Sequence, residues 1–224
     1  GGEGVWFWLV TGIGLLTLFW GSFQAVKQTD LKALLAYSTV SQLGMIMSMF
    51  GMGSVALHFG HSTESVFFTQ ATFAALFHLV NHSTFKGELF MAVGIIDHEV
   101  GTRNIARLGG LISFMPITFT ISLIGSFSMA GLPPFNGFLS KEMFFQAALD
   151  ISQLGLFHMD TLGNLIPIVA WVASVFTFVY SMIIVFQTFF GPYHEERLEH
   201  PASERSFGML LPPMILSALV VIIF

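Results

Sequence analysis

His78, His82 and Lys86 stand at i, i+4 and i+8 of an apolar run that closes Asn81-His82-Ser83-Thr84-Phe85-Lys86. On a helix that spacing draws one slowly drifting stripe. Imidazole titrates near neutrality, and a desolvated amine gives up its proton more readily than a hydrated one. Bridged by water, such a stripe can pass a proton by short successive transfers. A single histidine in an apolar helix more often packs and donates to a neighbouring carbonyl. Two histidines and a lysine on one face instead favour a proton or ion path, because ionisable groups at membrane depth are costly. The His-x₃-His spacing also suits a metal, but no carboxylate or cysteine shares the stripe and Lys86 would repel a cation, so a metal site is the weaker rival.

Lys141 is the second anomaly. It follows Gly131-Leu132-Pro133-Pro134-Phe135-Asn136-Gly137, which interrupts an otherwise continuous apolar span. Pro133 and Pro134 remove backbone donors, while Gly131 and Gly137 permit non-helical torsions, so a helix must break there. Counted from Met115, the break falls about 16 residues in, near the bilayer middle at helical rise. Irregular backbone at that depth is tolerated only where protein buries it or it lines a polar cavity. Lys141 is expected in the first turn of the half-helix that follows, beside Ser140 and Glu142, where the positive helix end adds to its charge. A lysine snorkelling to the surface is the alternative, but Asp150 lies further on and nearer that edge. Lys32, at the start of another apolar run, reads equally as a membrane-edge anchor or as the mouth of the path. Glu88, two residues past Lys86, points to the opposite side of its helix, paired elsewhere or near the interface.

The elements that position these residues are membrane helices. Hydrophobic residues make up 54% of the 224 and charged residues 9%, with a mean hydropathy of +0.77. Soluble domains carry about 25% charged residues, which excludes that class. Val5 to Val26, Ala33 to Leu57, Ser65 to Phe85, Leu108 to Ser140, Thr161 to Tyr193 and Ser206 to Phe224 are free of Asp, Glu, Lys and Arg. Each reaches the roughly 18 residues of a membrane span. The expected fold is therefore all-α and integral to the membrane, a single membrane domain over 1–224 with six transmembrane helices. Their approximate bounds are 5–26, 31–57, 65–96, 115–149 broken at 131–137, 165–190 and 206–224. The third is too long for a straight crossing, so it is tilted or locally unwound near Gly87.

Lys27, Lys32, Arg103, Arg107, Arg197 and Arg205 all follow the first, third or fifth span. That alternation puts the odd junctions in the cytoplasm and the N-terminus of this chain outside. With no cysteine, disulfides, iron–sulfur ligation and thiol catalysis are excluded within the chain. Thr29 and Asp30 signal a helix N-cap. Ser38, Thr39, Ser41, Gln42 and Gly44 suit close helix packing better than ligand binding. Phe176, Phe178, Tyr180, Phe186, Phe189 and Phe190 read as lipid-facing or packing residues. The chain opens at Gly1 without methionine and ends inside an apolar run, as a segment of a longer protein would. No nucleotide, haem or flavin motif is present, and no cofactor or nucleic acid is expected.

Several long runs carry a resemblance. Gln28-Thr29-Asp30-Leu31-Lys32 through Ser38-Thr39-Val40-Ser41-Gln42-Leu43-Gly44, the run from Phe77 to Lys86 and that from Gly131 to Lys141 resemble the antiporter-like subunits of respiratory complex I and of Mrp-type cation/proton antiporters. The runs from Val93 to Arg103, Ser126 to Phe138 and Val169 to Tyr180 are similar to the large A-type subunits of Mrp antiporters. The likeness covers nearly the whole chain.

The resemblance implies a protein built from two inverted five-helix repeats, each with one broken helix and buried charges along a midplane axis. This chain would be the second repeat, with its broken fourth helix, plus one further helix. Lys32, Lys86 and Lys141 would lie on the hydrated axis with His78 and His82 between them, which favours the path reading of Lys32. The implied activity is exchange of Na⁺ for H⁺ across a bacterial plasma membrane, within a hetero-oligomeric complex of Mrp subunits in the lipid bilayer. It is a secondary transporter subunit rather than an enzyme. A proton-pumping antiporter-like subunit of an NADH–quinone oxidoreductase is the nearer alternative. A membrane metalloenzyme using His78 and His82 is the distant one.

Overall fold

In a lipid-facing segment every backbone N–H and C=O must find its partner within the segment, so apolar runs divided by short polar junctions become helices. The computed structural model describes residues 2–157 and 159–223. Its helices are α1 (Gly2–Val26), α2 (Leu31–Gly53), α3 (Ala56–Phe59), α4 (Thr63–Val100), α5 (Pro116–Ala130), α6 (Gly137–Ser152), α7 (Met159–Leu162), α8 (Leu165–Phe189) and α9 (Phe207–Ile222). No strand occurs among the described residues, only an isolated antiparallel bridge between Asp30 and Asn104. Gly2–Val26, Leu31–Phe59 and Asp160–Phe189 are long and apolar enough to cross a membrane, and α5 and α9 are shorter apolar helices.

The surface of α1 shows why this bundle belongs in lipid. Leu9, Ile13, Leu16, Trp20 and Phe23 recur at helical spacing and all face outward. Its other face, with Phe7, Gly14, Leu18 and Gly21, is buried. Small residues then let α1 and α2 approach closely. A Cβ added at Gly14 would sit 2.5 Å from the Ser48 nitrogen, and one at Gly44 would sit 2.7 Å from the Gly14 carbonyl oxygen. Ser41 completes the contact by donating its hydroxyl to Leu18 O at 3.1 Å. Packing of small residues holds membrane helices together where the hydrophobic effect between them is absent.

The first, third and fifth junctions meet at one end. Asp30 caps α2 by accepting from Ala33 N at 3.0 Å, and Leu31 N and Ile105 N donate across the bridge to Arg103 O and Thr29 O. Arg103 pairs with Asp30 at 2.6 Å. Burial raises the Asp30 carboxyl, but Arg103 and the Ala33 N–H outweigh it and hold the group below the ordinary carboxylate value. Glu199 N donates to Val100 O, and Gly110 N to Phe190 O. The Glu204 carboxylate accepts from Ile117 N at 2.7 Å and from the Thr118 hydroxyl at 2.6 Å, capping α5 from a distant loop. The second and fourth junctions meet α1 at the other end, where Glu3 pairs with His58 and Trp8 donates to Phe157 O.

Two expectations are corrected. The third segment is not unwound near Gly87: α4 runs unbroken over 38 residues, about 57 Å at helical rise. Gly87 instead offers a smooth contact, with Leu216 of α9 3.1 Å from where its Cβ would be. Lys141 is the fifth residue of α6, in its second turn rather than its first.

Candidate functional site

The break between α5 and α6 is built in detail. Gly131 (φ +80°) ends α5 in the left-handed conformation, with its N–H bonded to Ser128 O and Leu132 N to Phe127 O. That is a Schellman stop, which glycine adopts without strain. Asn136 then holds the break to three helices. It is fully buried, and its backbone and side-chain polar groups all have partners. Its N donates to Val220 O of α9 at 3.1 Å, and its O accepts from Asn81 Nδ2 of α4 at 2.8 Å. Its Oδ1 accepts from Ser128 Oγ at 2.6 Å and its Nδ2 donates to Thr84 Oγ1 at 3.2 Å.

This frame sets α6 against the polar stripe of α4. His78, His82 and Lys86 are all buried, as is Lys141. His78 reaches Ser140 Oγ at 2.6 Å with Nδ1 and Gln42 Oε1 at 2.7 Å with Nε2. Gln42 directs its Nε2 toward the Tyr180 hydroxyl at 3.2 Å. The network therefore assigns Nε2–H as the His78 donor and Nδ1 as the acceptor from Ser140. Asn81 Nδ2 donates to Ser140 Oγ at 3.3 Å. The result is a directional chain, Asn81–Ser140–His78–Gln42–Tyr180, that crosses from α4 to α6, α2 and α8.

Lys86 points at α2, where its Nζ donates to Leu35 O at 3.1 Å and to the Ser38 hydroxyl. Ser38 in turn donates to Leu35 O at 2.7 Å. Lys32 stands one turn before Leu35 at the charged end, half exposed, with Nζ 3.4 Å from Asp97 Oδ2 of α4. Antiparallel α2 and α4 thus meet in three polar rungs: Lys32 with Asp97, Leu35 and Ser38 with Lys86, and Gln42 with His78. The ten residue steps from Lys32 to Gln42 place these rungs along about 15 Å of helix.

His82 and Lys141 complete the set without partners. His82 Nε2 and Lys141 Nζ make no hydrogen bond among the described residues. The His82 ring meets Phe85 edge-on, with centroids 5.5 Å apart. The stem of Lys141 lies across Gly131, its Cδ 2.6 Å from where a Cβ would be. Lys141 also borders a cavity of about 10 Å³ lined by Leu18, Met45, Phe144, Ala170 and Thr177. On the other side of α6 a groove of about 290 Å³ opens between α4 and α6, lined by Gln70, Glu142, Gln146 and Asp150.

The structure brings His78 to the residue before Lys141 and Lys86 to α2, and leaves Lys32 at the bundle end. Sequence reasoning missed Ser140, Asn81, Asn136 and Tyr180. Tyr180, expected among lipid-facing or packing aromatics, is fully buried within the network. Gln42 and Ser38, read as packing residues, also face the stripe. The available signal was the presence of Asn136 and Ser140 beside a break, where freed backbone groups need side-chain partners. Both nitrogens of His78 are engaged by Ser140 and Gln42, which leaves no lone pair for the His78–His82 chelate weighed as the metal alternative.

Buried amines and imidazoles beside a helix interruption are an arrangement found at the binding sites of many secondary transporters. The family described as NADH:quinone oxidoreductase/Mrp antiporter, TM, matches residues 3–167, and the chain belongs to it. It is 64% identical over 219 residues to the A-type subunit of the Na(+)/H(+) antiporter of Bacillus subtilis (strain 168), covering 98% of this chain and 27% of that protein. It is 57% identical over 221 residues to the A-type subunit of the Na(+)/H(+) antiporter of Alkalihalophilus pseudofirmus, covering 99% of this chain and 28% of the relative. The chain thus spans little more than a quarter of the curated relatives it matches.

Among solved structures it is similar to a chain of the Mrp complex from Dietzia sp. DQ12-45-1b, with TM-score 0.74, 34% identity and coverage of 97% of this chain and 21% of that one. It also resembles a chain of the membrane-bound sulfane sulfur reductase (MBS), an archaeal respiratory membrane complex, with TM-score 0.77, 28% identity and coverage of 97% and 32%. The expected family is the one found, and the chain is a multi-pass membrane protein.

Proposed function

We propose that the chain is a proton-path segment of the A-type subunit of an Mrp-type antiporter exchanging Na⁺ for H⁺. It works within a hetero-oligomeric complex of other Mrp subunits, in the plasma membrane of a bacterium. In this reading it crosses the bilayer six times, with α4 as the third crossing and α5–α6 as the broken fourth, as the second inverted repeat plus one helix. The N-terminus lies outside and the charged end faces the cytoplasm, in keeping with where the lysines and arginines gather. Lys32, His78, His82, Lys86 and Lys141 form the path, and Gly131, Pro133, Pro134 and Gly137 open the helix beside it. It is a transporter subunit rather than a catalytic enzyme.

The observation that carries this reading is the polar ladder from Lys32 to Gln42. It turns at His78 onto Ser140, the neighbour of Lys141. A proton entering at Lys32 has Lys86 and His78 as successive stations before α6. The 54–64% identities to proteins named as A-type subunits of Na(+)/H(+) antiporters favour antiport over the respiratory alternative. Lys86→Ala or Lys141→Ala in the complete complex should abolish sodium-driven pH change in vesicles without loss of assembly. Unimpaired exchange in both variants would sink the proposal, and copurification with a quinone-reducing arm would point to the respiratory alternative.

A further inference from the structure

Glu88 is the ionisable group that the ladder leaves aside. It follows Lys86 by two residues and so faces the other way on α4, into the interface with α5 and α9. It is fully buried. Ser217 of α9 donates its hydroxyl to Oε1. Oε2 has no hydrogen-bond partner among the described residues and lies 3.2 Å from where a Cβ on Gly125 of α5 would stand.

The surroundings define the occupant. Neither α5 nor α9 contains an Asp, Glu, His, Lys or Arg. On α4 itself, His78 and Lys86 are engaged with α2 and α6, and His82 shares their stripe. Glu64, Asp97, His98 and Glu99 sit near the ends of the helix. An ionised Glu88 would therefore be a buried charge with one hydrogen bond and no counter-ion, the arrangement proteins most strongly avoid. A metal cation is poorly served too, since hard cations take several oxygen ligands and, among the described residues, the one side chain hydrogen-bonded to Glu88 is Ser217. A proton satisfies the site, because it turns the carboxylate into a neutral acid whose carbonyl accepts from Ser217.

We infer that Glu88 is a second proton-binding site of α4, back to back with the His78–Lys86 stripe, and carries its proton on Oε2 within the α4–α5–α9 interface. The inference goes beyond the antiport reading and does not depend on it.

Infrared spectroscopy of the complete complex in lipid at neutral pH tests it. Wild type minus Glu88→Gln should show the carbonyl stretch of a protonated carboxylic acid, shifting in deuterated water. A difference showing only the paired stretches of a carboxylate, with or without sodium, overturns it. If Glu88→Gln does not assemble, Ser217→Ala replaces it: loss of the hydroxyl should move that band to higher frequency, and an unmoved band overturns the inference. A Lys141→Ala complex that has lost exchange should keep the band, so failure of the transport reading and of this one are distinguishable.

Discussion

Lys86 and Lys141 are the same residue buried in the same bundle, yet they are held by opposite ends of the side chain. Lys86 is fixed at its amine, which donates to Leu35 O and Ser38 on the unbroken helix α2. Lys141 is fixed at its stem, which lies across Gly131, while its amine has no hydrogen-bond partner among the described residues. An aliphatic stem buried against apolar surface positions a charged head without binding it. Lys86 therefore has a defined neutral acceptor set in place of a counter-ion. Lys141 borders a cavity of about 10 Å³, roughly the volume of one probe sphere and the least that holds a water. The comparison teaches that a continuous helix supplies fixed solvation to a buried amine, whereas a broken helix supplies position and space.

The largest effect should come from the group that sets the two lysines relative to each other. Asn136→Ala removes the side-chain bonds to Ser128 and Thr84, while Ser128 Oγ keeps the Gly137 N–H and Thr84 Oγ1 keeps Asn81 O. At about 1–2 kcal/mol for each lost bond in a buried site, the complex should be destabilised by about 2–4 kcal/mol. Thermal unfolding of the complex in lipid would measure it. A variant as stable as the parent would show that the break is held by backbone alone.

Gly131→Ala separates the lysines more sharply. The new Cβ would meet Lys141 Cδ at 2.6 Å in a residue at φ +80°, and a left-handed non-glycine residue costs roughly 1–2 kcal/mol. Exchange should be lost with only this modest drop in stability, because the Lys141 stem is displaced while Lys86 keeps both acceptors. Exchange at the parental rate would mean that the stem contact does not place the amine.

Ser38→Ala is the reciprocal change, since it removes one acceptor from Lys86 and leaves Leu35 O. Losing about 1 kcal/mol of hydrogen bonding should slow exchange roughly fivefold. Sodium-driven proton flux in vesicles would show it, and a complete loss would make Ser38 itself a station on the path.

Much of this contrast was legible in the sequence. The all-helical character followed from apolar runs and the N-cap of α2 from Asp30, although α4 extends to Val100, beyond the 65–96 expected. The prolines and glycines of 131–137 stand where α5 gives way to α6. The stripe of His78, His82 and Lys86 followed from spacing alone. What a spacing cannot show is which face meets which helix. Gln42 and Ser38 read as packing residues in the company of Ser41, three positions past Ser38, and Gly44, two past Gln42, which do pack against α1. Tyr180 sits in a helix of phenylalanines, and its hydroxyl acquires a role only when α8 is placed beside Gln42. Glu88 was correctly turned away from Lys86, but its partner Ser217 is 129 residues distant. No local signal records such a contact.

The smallest effect belongs to the charged end, where the cations are paired and partly wet, unlike either buried lysine. Asp30→Asn retains the helix cap, because asparagine accepts at an N-cap as well as aspartate does, and so isolates the pairing with Arg103. That pair is 41% and 38% exposed at its side chains, so solvent screens it and its contribution is small. The folded Asp30 carboxyl sits below its ordinary value, so its stabilisation is fully present at neutral pH and is lost as pH falls through the depressed folded value. The thermal midpoint of Asp30→Asn should therefore lie slightly below that of the parent at neutral pH, and the gap should close in acid below the ordinary carboxylate range. A gap that persists there would mean that Asp30 acts through the cap or the bridge to Asn104 rather than through its charge. The contrast between this end and the two lysines would then rest on geometry alone.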